Sequence, residues 1–154
     1  MLTLSHILKA LAPAAQYQIQ QDFEIACGCV DSRCVTEKGL FVALKGENTD
    51  GHQFVDQAFA NGAVLALIDH AIDSKFPVID LSQDSFVLPK NTPFSLQTTD
   101  ALTSLQTLAK YWRQQHNLVV IGITGSVGKS STKELTASVL RSQMKTLRNP
   151  GNMN

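Results

Sequence analysis

Apolar residues recur along this sequence with two different periods, and the changes of period mark out its elements. Leu4, Ile7, Leu8 and Leu11 follow i, i+3, i+4, i+7 spacing, which predicts a short amphipathic helix over residues 3–11 packing on the body of the protein. Residues 23–30 have strand-like content and end in the polar turn Asp31-Ser32-Arg33. The compact apolar run at 40–44 reads as a buried strand. Residues 46–51 (Gly-Glu-Asn-Thr-Asp-Gly) are turn chemistry throughout, because Gly tolerates positive φ and Asn and Asp bond their own backbone. A helix is expected over 53–61, with Phe54 and Ala58 on one face and Gly62 as its stop, and then a strand over 63–68. Strands and helices alternating in short units indicate an α/β fold.

From 72 to 99 the pattern weakens, and three of the five prolines (Pro77, Pro89, Pro93) fall there, so a domain boundary is expected near 94–100. Asp100 is a plausible N-cap for a helix reaching Gln115, with Leu102, Leu105, Leu108, Ala109 and Trp112 turned to the core. A strand at 118–123, a Gly-rich turn and a helix over 129–143 follow, the helix facing inward through Leu135, Val139 and Leu140. The expected organisation is a small N-terminal α/β domain over residues 1–95 and the beginning of a second α/β domain over 100–154. One strand cannot build a parallel core without its neighbours, so the second domain is expected to be cut short.

Composition narrows the function classes. The 154 residues are 44% hydrophobic and carry 13 basic and 13 acidic side chains, so there is no electrostatic case for nucleic acid or a membrane surface as partner. No apolar run approaches the ~20 residues that cross a bilayer. The first residues lack a basic leader region, and the expected compartment is the cytosol. Cys27, Cys29 and Cys34 are an odd set in a chain without an export signal, which favours reduced structural cysteines over disulfides. Zinc held by the three thiols with His52 is the alternative, although Cys-x-Cys is not a usual zinc spacing.

The strongest chemical signal is Thr124-Gly125-Ser126-Val127-Gly128-Lys129-Ser130-Ser131, set between an apolar run and a helical pattern. Gly125 and Gly128 let the backbone curl so that successive N–H groups point into one concavity, and the helix start adds partial positive charge there. Lys129 can reach the β- and γ-phosphates of a nucleotide, and the Ser130 hydroxyl can ligate Mg²⁺. The general phosphate-loop pattern wants Gly six residues before the Lys, where this sequence has Ile123. The bland reading is a Gly-rich turn with a solvated lysine.

The variant Thr-Gly-Ser-x-Gly-Lys-Ser-Ser after an apolar strand resembles the ATP loop of the Mur ligases, which assemble peptidoglycan precursors in bacteria. In that family a Thr leads the loop, as Thr124 does here. Asp31-Ser32-Arg33, residues 39–46, residues 50–54 and Asn61-Gly62-Ala63 are similar to the N-terminal domain of the members adding the third residue or the terminal dipeptide. Lys133-Glu134 and the closing Gly151-Asn152-Met153-Asn154 look like the branch that adds D-alanyl-D-alanine.

The resemblance implies that the N-terminal domain holds the UDP end of a UDP-N-acetylmuramoyl peptide, with Ser32, Arg33, Gly46, Asn48 and Thr49 facing the uridine diphosphate. It implies MgATP at residues 124–131, with Lys129 catalytic and Ser130 on the metal. The peptide carboxylate would be phosphorylated to an acyl phosphate, and the amine of D-alanyl-D-alanine would attack it. A monomeric, cytoplasmic enzyme is expected at full length, and this chain alone is expected to bind poorly and catalyse nothing. Other readings stay open: a sister ligase adding a diamino acid, a small phosphate-loop kinase, or a sugar-nucleotide-binding module with a vestigial loop. Arg33 could be paired to Asp31, Lys45 could be a plain surface lysine, and His52 is read as a structural hydrogen-bonding residue. Glu134 is read as a surface pair or a loop-orienting group, and Trp112 as core.

Overall fold

A computed structural model describes residues 1–47 and 49–149. The chain divides into two compact units, residues 1–116 and 117–154.

In the first unit the strands are set by the apolar runs. Strands β4 (Cys27–Cys29), β5 (Gly39–Val42), β6 (Ala63–Ile68), β7 (Val78–Asp80) and β9 (Phe94–Gln97) form one sheet in the order β4-β5-β6-β9-β7, every pair parallel. Both faces of such a sheet must be covered, and period-two alternation sorts the side chains between them. Leu40, Val42, Leu65, Leu67, Phe94 and Leu96 join one core with Leu4, Ile7 and Leu8 of helix α1 (Leu4–Leu11) and Ala101 and Leu108 of helix α3 (Ala101–Gln114). Phe41, Ala43, Ala66 and Ile68 join the other core with Val55, Ala58 and Phe59 around helix α2 (Val55–Ala60). Two small ribbons complete the unit: β1 (Leu2–Thr3) antiparallel to β3 (Glu24–Ile25), and β2 (Gln16–Gln18) parallel to β8 (Ser85–Val87).

Several details differ from the sequence reading. The stretch 23–30 is two strands in two sheets, β3 and β4. The Pro-rich stretch contributes β7, β8 and β9, and β9 lies between β6 and β7 inside the sheet. Helix α3 packs on α1. The contact division therefore falls after His116 rather than near 94–100. Helix 53–61 opens as a 3-10 turn (Gly51–Phe54), which rotates Val55, Ala58 and Phe59 inward and leaves Phe54 at the surface. On α3 the buried pair is Ala101 and Leu108, Leu102 is exposed, and Trp112 is half-buried against His6 and His116 rather than core. Asp100 does cap α3, accepting from the Thr103 backbone N–H. Gly62 ends α2 at φ +108°, as its stop position requires.

In the second unit residues 118–123 form no strand, and Val119 is 89% exposed. A strand exists through its hydrogen-bonded neighbours, and among the described residues none lies beside this run. Helix α4 (Lys129–Arg141) buries Ala137, while Leu135 and Val139, expected inside, are exposed. No helix among the described residues is long and apolar enough to cross a membrane.

Candidate functional site

Residues 124–131, the expected phosphate loop, form a local turn in the second unit. Gly125 has φ +150° and Gly128 φ +80°, a left-handed conformation that lets the chain turn straight into α4. Helix α4 starts at Lys129 with no side-chain cap, so its first N–H groups are directed at the loop. The Lys129 Nζ donates to the Gly125 carbonyl at 2.7 Å, folding the ammonium back over the turn rather than away from the helix start. Lys129, Ser130 and Ser131 line an open hollow of about 700 Å³ with Gly128 and Arg148. Thr124, Ser126, Val127, Ser130 and Ser131 are all exposed. A polyanion fits this donor set of backbone amides, one ammonium and serine hydroxyls. The flank is tied by Arg148 donating to the Glu134 carboxylate at 2.8 Å and Lys133 Nζ donating to the Asn149 carbonyl at 3.0 Å.

In the first unit the proposed sugar-nucleotide residues fall on two turns. Ser32 starts the 3-10 turn Ser32–Cys34 after β4. It is buried, its hydroxyl donates to Gln57 Oε1 at 3.1 Å, and its carbonyl accepts from the Asn61 side chain at 2.9 Å. Arg33 is 81% exposed and paired to Asp31 at 2.7 Å. The Arg33 side chain first, and its backbone N–H second, hold the Asp31 carboxyl down at about 2. Gly46 donates its N–H to the Thr49 carbonyl at 2.9 Å, closing the second turn, and Asn48 lies outside the described residues. Lys45 takes part in a backbone bridge with Asp50. The turns follow strands β4 and β5, at the carboxyl ends of parallel strands where open α/β sheets hold their ligands.

The zinc alternative does not assemble. His52 is buried, its Nδ1 lies 2.7 Å from Asp50 Oδ1, and its Nε2 accepts from the Asp69 backbone N–H at 3.1 Å. The three cysteines are free thiols. The Thr36 hydroxyl pulls the Cys27 thiol below its usual value, and burial pushes Cys29 above. Nothing in the sequence around Asp69 and His70 marks them as site residues. Their signal is long-range, since only the fold brings the end of β6 to Asp50 and His52.

The class comes first from the fold: an α/β protein with a parallel sheet covered on both faces, to which is joined a glycine turn feeding a helix. The chain belongs to the Mur ligase family. The profile described as "Mur ligase family, catalytic domain" matches residues 24–113, more than half of it and all within the first unit. A UDP-N-acetylmuramoyl-tripeptide--D-alanyl-D-alanine ligase of Synechocystis is 38% identical over 122 residues, which is 79% of this chain but 24% of that relative. The crystal structure of MurF from Acinetobacter baumannii superposes with a TM-score of 0.72 at 31% identity, over 96% of this chain and 29% of that one. MurF ligase from Thermotoga maritima in complex with ADP gives a TM-score of 0.61 at 30% identity, over 82% and 26% of the two chains. The chain thus spans about a quarter of the length of the curated relative it matches.

Proposed function

We propose that this chain carries the sugar-nucleotide-binding and phosphate-gripping portions of an ATP-dependent ligase that adds D-alanyl-D-alanine to a UDP-N-acetylmuramoyl tripeptide in peptidoglycan precursor synthesis. The observation that carries the reading is the curl of residues 125–128 into the start of α4 with the Lys129 ammonium folded over it. The relatives' names supply the reaction, and the ADP complex of the Thermotoga relative supports a nucleotide partner.

A carboxylate is a poor electrophile, and phosphoryl transfer to the tripeptide carboxyl gives it a leaving group. The D-alanyl-D-alanine amine then forms the amide and releases phosphate. Residues 124–131 bind the triphosphate through backbone amides. Lys129 offsets charge that builds up on the transferred phosphoryl, and Ser130 holds Mg²⁺ against the phosphate oxygens. In the first unit Ser32, Arg33, Gly46, Asn48 and Thr49 receive the uridine diphosphate. The division of roles we assign, in a monomeric cytoplasmic protein, is one of function rather than of packing: residues 1–95 for the sugar nucleotide and 100–154 for ATP, although α3 itself packs on α1 in the first unit.

Amide NMR spectra of the chain titrated separately with MgADP and with the UDP-muramoyl tripeptide test both halves. At the millimolar concentrations that weak binding by this chain alone requires, MgADP is expected to shift the amides of residues 125–131, and Lys129→Ala to remove those shifts while the spectrum of the first unit stays unchanged. The sugar nucleotide is expected to shift residues 32–33 and 46–49. Silence at 125–131 in the unsubstituted chain refutes the nucleotide reading, and silence at the two turns refutes the sugar-nucleotide reading.

A further inference from the structure

Asp50, His52, Asp69 and His70 form a cluster that the ligase reading does not use. His52 is buried, its side chain 3% exposed, and its ring lies 3.7 Å from that of His70, centroid to centroid. Asp50 stands at one end of the two rings, with Oδ1 2.7 Å from His52 Nδ1 and Oδ2 3.5 Å from His70 Nε2. Asp69 stands at the other end, with the same Oδ1 3.3 Å from His52 Nε2 and 2.9 Å from His70 Nδ1. One carboxylate therefore faces the outer nitrogens of both imidazoles, and a second carboxylate faces their inner nitrogens. An imidazole that ligates an ion through one nitrogen characteristically gives its other N–H to a carboxylate, which fixes both tautomer and ring orientation. Asp69 is itself anchored, its Oδ2 accepting from the Ala101 backbone N–H at 3.2 Å.

We propose that Asp50, His52 and His70 form a binding site for a borderline divalent transition metal ion of the Zn²⁺, Co²⁺ or Ni²⁺ kind, with Asp69 positioning both histidines. One ligand atom from each residue, a carboxylate oxygen and two imidazole nitrogens, lies within 4.8 Å of the other two. Ligand atoms each ~2.0–2.2 Å from one ion sit roughly 3–3.5 Å apart, and because the two ring centroids already lie 3.7 Å apart the exposed His70 ring swings outward and re-aims its nitrogen on binding rather than advancing on His52. Two imidazoles and a carboxylate select this ion class over Mg²⁺, which prefers oxygen ligands and keeps its waters. Without the ion, His52 holds its proton on Nδ1, toward Asp50, and accepts from the Asp69 N–H at Nε2. Binding moves that proton to Nε2, which gives up the bond from the Asp69 backbone N–H and donates instead to Asp69 Oδ1, 3.3 Å away. The half-exposed His70 leaves the remaining coordination positions to water. The ion ties the residue that follows the 46–49 turn to the end of β6. This site stands on its own geometry, whatever reaction the chain serves.

Titration of the chain with Co²⁺, followed by visible absorption and by thermal melting, tests the site. The expected result is one saturable equivalent showing d–d bands without thiolate charge transfer, displaced by Zn²⁺ but not by excess Mg²⁺, with a rise in Tm. His70→Ala removes an exposed ligand at little risk to folding and is expected to weaken binding at least tenfold. Asp69→Asn is expected to weaken it ten- to a hundredfold, whereas His116→Ala leaves it unchanged. Thiolate charge-transfer bands would place the ion on the cysteines instead and overturn the proposal. So would the absence of saturable uptake, uptake indifferent to His70→Ala, or displacement of the ion by Mg²⁺.

Discussion

The two units of this chain spend similar sequence patterns to opposite effect. In the first, Val42, Leu65, Leu67 and Ile68 are wholly buried, because each strand is flanked by parallel neighbours and covered by helices. In the second, Val119 and Val120 are 89% and 67% exposed and Val139 is 70% exposed. An apolar run is a request for neighbours, not a core in itself. What survives without neighbours is what depends only on adjacent backbone: the turn at Gly125 and Gly128 and the helix that follows it. The candidate phosphate site is of that local kind, and the Asp50–His70 cluster is of the other.

Core truncation breaks this contrast most forcefully. Leu67→Ala is expected to cost about 2–5 kcal/mol and Phe94→Ala about 3–5 kcal/mol, since both side chains are fully buried between strand and helix. Leu135→Ala and Val139→Ala on α4 are expected to stay within about 0.5 kcal/mol, as for other exposed positions. Urea unfolding followed by circular dichroism measures both pairs. Equal losses in the two units would mean that α4 is packed in solution, and the contrast would fall.

Glycines sharpen the comparison at smaller scale. A Cβ at Gly51 would meet the backbone O and N of Leu44 at 2.7 and 2.8 Å, atoms that cannot swing aside. That crowding also strikes the bond from the Gly51 N–H to the Leu44 carbonyl, 2.9 Å long. Gly51→Ala is therefore expected to cost about 1–3 kcal/mol. At Gly28 nothing lies within 4 Å of the added carbon, and Gly28→Ala should fall within about 0.5 kcal/mol. A tolerated Gly51→Ala in the same urea assay would show that the turn joining β5 to α2 is looser than its contacts imply.

The same distinction explains what could be read in the sequence. Residues 4–11, 63–68 and the Asp100-capped helix were legible because period, cap and stop signals agreed locally. The strand β9 was not, because Phe94-Ser95-Leu96-Gln97 follows a proline in a polar stretch and becomes a strand only between β6 and β7. Periodicity does not pick the inward faces of α3 and α4, because tertiary contact chooses the buried stripe: Ala101 over Leu102, and Ala137 over Leu135. The candidate loop at 124–131 could be named from sequence because Gly125 and Gly128 act through their own backbone and the Lys129 ammonium reaches a carbonyl only four residues away. Asp69 and His70 were illegible beside His52, because they meet it only after β6 is laid against β5. Sites assembled by sequence neighbours announce themselves; sites assembled by strand pairing do not.

The smallest effect concerns a turn of the first kind, at the end of β4. Asp31 accepts from the Arg33 guanidinium at 2.7 Å and from its backbone N–H at 3.0 Å, and its carboxyl titrates at about 2 against an ordinary 3.8. A pKa lower in the folded than in the unfolded chain means that the ionised form is favoured by folding. The contribution is complete above pH ~4 and is lost as the pH falls toward 2. Both partners are solvent-exposed, so the effect on stability should be slight at neutral pH and screened further by salt. Carboxyl-carbon NMR reads it directly. In Arg33→Ala the larger of the two causes goes, and the Asp31 titration is expected to climb most of the way to the ordinary carboxylate value, stopping short because the backbone donor at position 33 stays. An unchanged titration in that variant would transfer the effect to the backbone bond alone, and the turn before β5 would then owe its shape to Asp31 without help from the arginine.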